Sequence, residues 1–213
     1  MDATFIRRVA AAARRHGPGG LPVAAVRRVA AVVGDRRERA LEWSFDRRRG
    51  IDTAGVLRDG ATPYQPVHPA AFRELVSHVP ARDTFVDIGS GRARALILAV
   101  EHGFRGAVGV EIDAEHHRTA EANVRRYPTI RLVHGDALRF RFPEGPLTIL
   151  VYNPFPRSVM EAFVDRIPAD AWVIYEAPLD RDLFDARFEL VAERTERAGA
   201  SPRRPRFAIY RTR

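Results

Sequence analysis

Phe85-Val-Asp-Ile-Gly-Ser-Gly-Arg-Ala-Arg94 is the stretch on which the fold turns. An apolar run begins at Thr84, ends in Gly89-Ser90-Gly91, and passes at once into a helical pattern over about Arg92–His102. Glycines at such a junction permit positive φ and let a ligand approach bare backbone, while the helix that follows offers unpaired N–H groups. A strand, a glycine turn and a helix form the opening unit of a nucleotide-type α/β fold.

The same alternation continues downstream. Strands are expected at AVGVEI (107–112), TIRLVHGDA (129–137), LTILVYNPF (147–155) and AWVIYEAP (171–178), with helices over about Ala114–Tyr127, Arg157–Ile167 and Leu179–Phe184. Short apolar strands separated by helical segments predict a parallel sheet covered on both faces. The last two strands, FELVAERTE and RFAIYRT, flank Gly199-Ala-Ser-Pro202, a loop suited to an antiparallel hairpin. The expected architecture is therefore α/β and Rossmann-like, a mostly parallel seven-stranded sheet with a C-terminal antiparallel hairpin.

Upstream the pattern changes. Residues 51–82 are loop-rich, punctuated by Asp59-Gly60, Pro63, Pro66 and Pro69, with a helix over Ala70–Val79. Residues 1–50 are basic and Ala-rich with helical periodicity: Phe5, Val9 and Ala12 share one face, as do Val26, Val29 and Val33, and a second helix runs from about Pro22 to Trp43. The division read from composition is a basic helical N-terminal extension over 1–50 and a ligand-binding domain over 51–213, a size that accommodates one full α/β core.

Composition removes several chemistries. The 213 residues include no Cys, which excludes disulfides, thiolate metal sites and a catalytic thiol within this chain. The seven His show no H-x-x-x-H or H-E-x-x-H spacing, so no metal is expected. The net charge of +8 invites a nucleic-acid reading, yet all 35 basic residues are Arg and none is Lys, a bias that points to GC-rich coding at least as much as to phosphate binding. No run approaches the ~18–20 apolar residues of a membrane span, and the Arg-interrupted start makes a poor secretion signal, so the expected address is the cytoplasm.

Three acids sit where an open α/β sheet binds its ligand, at the carboxyl ends of strands. Asp87 lies two residues before Gly89. A carboxylate there repels a pyrophosphate and suits a cationic ligand such as S-adenosylmethionine, which carries a sulfonium and an ammonium and no phosphate. The third glycine of a dinucleotide turn is also missing, its place taken by Arg94. Glu111 ends the second strand twenty residues after Gly91, the position from which an acid reaches both ribose hydroxyls, and Ile112 beside it is placed to cover the adenine face. In His134-Gly-Asp-Ala137, Asp136 is suited to accept from the adenine amine and the Ala137 N–H to reach a ring nitrogen.

D-I-G-S-G-R, V-G-V-E, H-G-D-A and the strand ending in Asn153-Pro-Phe-Pro156 resemble the ordered motifs of class I S-adenosylmethionine-dependent methyltransferases over residues 64–211, about two-thirds of the chain. FDRRRGIDTAG together with N-P-F-P is similar to a group of small bacterial methyltransferases. One departure is Ala93, where the family's loop usually carries a third glycine. The resemblance implies S-adenosylmethionine as cofactor, bound by Asp87, Gly89, Ser90, Gly91, Glu111, Ile112, Asp136, Ala137 and Asn153. It also implies an acceptor site at Asn153, Pro154 and Phe155, since a similar N/D-P-P-Y/F motif binds the target nitrogen in amino-group methyltransferases; here Phe155 stands one place early.

Tyr64, His68 and Glu176 are further candidates near the acceptor, each with an ordinary structural alternative. The Arg runs at 7–8, 14–15, 27–28, 36–39, 47–49 and 203–206 read as solvated faces. Without an evident general base for an oxygen acceptor, the expected activity is N-directed methyl transfer to a protein side chain or small amine, ahead of nucleic acid. The competing readings are a non-catalytic nucleic-acid-binding module on the same fold, and a nicotinamide oxidoreductase, which Asp87 and Arg94 disfavour.

Overall fold

The computed structural model describes residues 42–53, 65–195 and 206–213. The helices expected within 1–41, Tyr64 and the loop at Gly199-Ala-Ser-Pro202 lie outside the described residues. After a helical stretch over 42–49 come α1 (Pro69–Ser77), β1 (Thr84–Ile88), α2 (Arg94–Glu101), β2 (Gly106–Glu111), α3 (Ala114–Val124), β3 (Ile130–His134) and β4 (Leu147–Val151). Then follow α4 (Arg157–Val164), β5 (Ala171–Glu176), α5 (Arg181–Asp185), β6 (Glu189–Arg194) and β7 (Phe207–Arg211).

The seven strands form one sheet in the order β3-β2-β1-β4-β5-β7-β6. Strands β1 to β5 run parallel, and β7 runs antiparallel between β5 and β6. Burial explains why the last strand in sequence is not the last in space. Phe207 to Tyr210 are all buried and need a neighbour on each side, whereas Glu189-Leu-Val-Ala-Glu-Arg194 is mostly exposed and tolerates the edge. A register shift between Leu190 and Ala192 interrupts that edge, a feature that discourages pairing with another chain.

Alternation along each strand divides the core in two. Phe85, Leu150, Ile174 and Ile209 face one layer with Phe72 of α1 and Leu96 of α2. Val86, Ile88, Ile149, Val173 and Tyr210 face the other, with Met160 and Phe163 of α4 and Phe184 of α5. Continuous apolar strands such as Leu147-Thr-Ile-Leu-Val151, buried at every position, are the signature of a sheet covered on both sides.

Local chemistry sets where the helices begin. Pro69 opens α1, and the His68 Nδ1 accepts from the Ala70 N–H at 3.1 Å, so this histidine is a helix cap. Asp113 caps α3 by accepting from the N–H groups of Glu115 and His116 at 2.9 and 2.8 Å. Helix α2 starts two residues later than the sequence pattern predicts because Ala93 takes a left-handed conformation, φ 71 and ψ 18. That is the slot where the resembling family carries glycine, and it requires positive φ here too.

Residues 42–53 pack onto the sheet domain rather than apart from it. Phe45 and Ile51 are buried in the α2 layer. Arg49 grips the end of α2, its Nε and Nη2 donating to Glu101 at 2.7 and 2.6 Å, with its guanidinium 3.7 Å from the Phe45 ring centroid. Arg49 thus departs from the solvated face expected of the 47–49 run: its stem lies over an aromatic ring and its head meets a carboxylate at hydrogen-bonding distance. Phe45 and Ile51, on either side of the boundary expected at 50, share the core of the sheet domain.

Gly109 of β2 pairs with Asp87 of β1, and a Cβ built on it would lie 2.5 Å from Leu96 Cδ1 and 2.6 Å from Ser90 Oγ. Gly109→Ala is expected to destabilise the domain by about 1–3 kcal/mol through overpacking, read as a lower midpoint in urea unfolding with an unchanged slope.

Candidate active site

The strand order reverses between β1 and β4: the chain moves from β1 outward through β2 and β3, then returns to the other side of β1. A crevice opens outside the carboxyl ends of strands at such a point. It holds a cavity of about 570 Å³ walled by residues 65–67, the turns after β1 to β4, and Val159 of α4.

Asp87, Gly89, Ser90, Glu111, Ile112, Asp136, Ala137, Asn153, Pro154 and Phe155 all line this cavity. Gly91 sits behind the wall, where its N–H donates to Glu111 Oε2 at 2.7 Å. Residues distant in sequence, expected together at one sheet edge, meet around one space. The cavity wall also includes Arg94, His116 and Tyr152, which sequence reading had not assigned to the site.

The glycine turn is held from the neighbouring strand, since Gly89 and Ser90 both donate to the Val110 carbonyl at 2.9 and 3.0 Å. Gly89 has φ +75, and a Cβ there would lie 2.8 Å from Pro154 Cβ. The turn after β1 and the turn after β4 thus touch at the cavity floor, and only glycine allows it.

The two buried acids differ in how they are satisfied. Each Glu111 oxygen accepts one backbone N–H, from Gly91 and from Asp113, both at 2.7 Å. The carboxylate therefore clasps the turns after β1 and β2 and retains a second lone pair on each oxygen. Asp87 is only 6% exposed, and no donor among the described residues reaches its carboxylate. Burial, reinforced by the Glu111 charge, pushes its pKa up to about 7. Asp136 accepts the Leu138 N–H at 2.8 Å, and Ile112 keeps 70% of its surface exposed on the rim.

Asn153 departs from the arrangement that the motif implies. It has φ 44, and its Nδ2 donates to the Ala177 carbonyl at 2.7 Å. Its Oδ1 accepts from the Tyr175 hydroxyl at 2.9 Å and the Leu179 N–H at 3.4 Å. Both lone pairs of the amide oxygen are engaged toward the turn after β5. Phe155 packs against Phe163 with ring centroids 5.4 Å apart, and Tyr152 donates to Gln65 Oε1 at 3.1 Å. Glu176 is buried at the end of β5 but does not line the cavity, and neither does His68.

The donor set fits a cationic nucleoside. Four residues that carry carboxylates line the space, Asp87, Glu111, Asp113 and Asp136, and no donor among the described residues meets Asp87. An exposed aliphatic side chain on the rim is suited to a flat base, and the close approach of Gly89 leaves bare backbone.

No protein-family model matches the chain, and no curated protein matches it by sequence. Solved structures match its fold. The glycopeptide N-methyltransferase MtfA, complexed with sinefungin, superposes with a TM-score of 0.56 at 12% identity, over 75% of this chain and 100% of MtfA. The ribosomal protein L11 methylase of Lactobacillus delbrueckii subsp. bulgaricus gives 0.53 at 15% identity, over 71% of this chain and 90% of that one. The N-methyltransferase NodS of Bradyrhizobium japonicum WM9 gives 0.52 at 14% identity, over 68% and 93%. The fold is that of these methyltransferases.

A raised carboxylate pKa links stability to pH. Between its ordinary value of 3.8 and about 7 the native Asp87 holds a proton that the unfolded chain has released. Its contribution to stability therefore falls as pH rises through that window and is flat above it. Asp87→Asn is expected to raise the thermal midpoint at pH 8 by at least about 2–4 °C, the shift that one kcal/mol produces in a domain of this size. The gain should shrink toward pH 4 in a scanning-calorimetry series.

Proposed function

We propose that the chain is an S-adenosylmethionine-dependent methyltransferase that acts on an amine nitrogen of a protein side chain or small molecule. The observation that carries this reading is Asp87: a buried carboxylate beside a glycine turn, without a donor among the described residues, at the point where the strand order reverses. A phosphorylated dinucleotide would meet four carboxylates there, which argues against the oxidoreductase alternative.

In this reading Asp87 faces the cationic groups of the cofactor, the ammonium of its amino-acid end and the sulfonium. Glu111 takes the ribose hydroxyls with its remaining lone pairs, Asp136 and the Ala137 N–H meet the adenine edge, and Ile112 covers the base. Gly89 and Ser90 form the floor, and Gly91 behind them holds the Glu111 carboxylate in place. The cofactor, when bound, supplies a methyl group already activated on a sulfonium. What remains for the protein is to hold the acceptor in line and keep water out, and positioning of this kind is worth up to ~7–11 kcal/mol. Pro154 and Phe155 shape the acceptor side, with Asn153 holding their turn.

Two features favour a neutral amine over an oxygen acceptor or a nucleic acid. Among the described residues, the wall made by residues 65–67, Tyr152 to Pro156 and Val159 carries neither carboxylate nor imidazole that could serve a hydroxyl as general base on that side. Among the described residues the cavity is lined by one Arg against four Asp or Glu, and six of the chain's eight surplus positive charges fall within residues 1–41, nine Arg against three carboxylates. Many Arg residues of the domain are paired internally, among them Arg49, Arg92, Arg94, Arg157 and Arg187.

Calorimetric titration tests the cofactor first. The expected result is binding of S-adenosylmethionine and S-adenosylhomocysteine and none of NAD⁺. Asp87→Asn should lose about 10–100-fold for S-adenosylmethionine, the range for a charge-assisted contact of ~1.5–3 kcal/mol. Indifference of the purified protein to both nucleosides would refute the assignment. Label transfer from methyl-labelled cofactor into a lysate, treated in parallel with protease or nuclease, then identifies the acceptor. Loss of signal only after nuclease treatment would replace the amine reading with a nucleic-acid one.

A further inference from the structure

Among the described residues that line the cavity, one guanidinium stands with the four carboxylates, that of Arg94. Arg94 opens α2 at the end of the glycine turn, and a fixed positive charge there opposes a cationic ligand. Its charge is answered from outside the sheet. Nη2 donates to Asp46 Oδ2 at 2.6 Å, and Nη1 lies 3.4 Å from Glu42 Oε1. Nη2 also meets the Thr53 hydroxyl, which in turn donates to Asp46 Oδ2 at 2.5 Å. The Arg94 side chain is 4% exposed and that of Asp46 15%, so water and salt screen the pair weakly.

All three counter-groups lie on residues 42–53, and that segment is anchored independently of the pair. Asp52 meets the buried Arg92 at 2.9 Å. Asn123 of α3 accepts from the Asp52 N–H and donates to the carbonyls of Asp52 and Arg92, each at 2.9 Å. Phe45 and Ile51 are in the core. A segment that carries no cavity-lining residue therefore delivers a carboxylate to the back of the cavity wall.

We propose that Asp46 is a positioning residue that sets the charge selectivity of the cavity: by cancelling Arg94 it leaves the four lining carboxylates to act on a ligand as net anions. This rests on the cofactor reading above and adds to it that residues 42–53 belong to the cofactor site. With Asp46 neutral, Arg94 is a buried cation left without its closest counter-charge, facing a positively charged ligand. With Arg94 neutral, Asp46 adds a further negative charge behind the wall. The two changes push selectivity in opposite directions, and a purely structural part for the pair would not.

The test uses the full chain with Asp46→Asn, Arg94→Met and the double substitution. Each is titrated with S-adenosylmethionine and S-adenosylhomocysteine, which differ by one methyl group and one positive charge. Asp46→Asn is expected to weaken S-adenosylmethionine binding by on the order of tenfold and S-adenosylhomocysteine by less than about threefold. Arg94→Met should move the ratio of the two affinities the other way, and the double variant should restore the wild-type ratio. Should Asp46→Asn not fold, Arg94→Met and the double variant decide the matter by the same two criteria. Affinities that fall together, with the ratio fixed in every folded variant, would overturn the proposal. Wild-type protein that binds neither nucleoside would instead remove the cofactor reading itself.

Discussion

Two carboxylates buried side by side, at the ends of adjacent parallel strands, form the constraint around which the molecule is organised. Asp87 and Glu111 repel one another in a region that water hardly reaches. The fold relieves only one of them. Glu111 receives a backbone N–H on each oxygen and in doing so ties the turn after β1 to the turn after β2. Asp87 receives none among the described residues, and burial with repulsion leaves it easier to protonate. A group that destabilises the folded state, in a place where a neutral side chain would fit, is what a binding site retains at the expense of stability.

The sheet makes that arrangement possible. Strands β1, β4 and β5 are apolar on both faces over most of their length, and their acids stand at or near the carboxyl ends, Asp87 one residue before the end of β1 and Glu176 last in β5. Reversal of strand order brings the turns after β1 and β4 together with nothing between them, and Gly89 against Pro154 fixes how close they come. Ala93 pays the conformational cost of the same turn with a left-handed backbone in a fully buried residue. Glycine would relieve the backbone there but surrender a packed methyl group, so alanine in this slot is close to balanced.

Legibility followed the range of the interactions involved. The strands, the glycine turn and the acids at strand ends were readable because each depends on neighbours within a few residues or on position in a repeated unit. The insertion of β7 between β5 and β6 was half readable: Phe207 to Tyr210 are uniformly apolar, as an inner strand requires, but adjacency in sequence suggested a hairpin and no more. Arg92 and Arg94 were not readable as buried groups, nor Arg49 as a half-buried one. An arginine looks alike on paper whether solvated or enclosed, and their partners Glu101, Asp52 and Asp46 lie 40 to 52 residues away. The signal was present in Phe45-Asp-Arg-Arg-Arg-Gly-Ile-Asp-Thr53, where acids and a hydroxyl interrupt an otherwise basic region, yet nothing local says what they face.

Asn153 shows how a motif can survive as a structural part with its side chain turned elsewhere. An amide oxygen has two lone pairs, and Tyr175 and Leu179 occupy both, while the amide nitrogen holds Ala177. Asn153 and Ala177 both adopt positive φ immediately before a proline, at the ends of adjacent strands β4 and β5. Without a bond between them, two such turns would be free to separate, since proline removes the N–H through which each might otherwise be held. The Asn153 amide supplies that bond. In this arrangement the Asn153 amide is used up within the turn, and the turn presents Tyr152 and Phe155 to the cavity on either side of it.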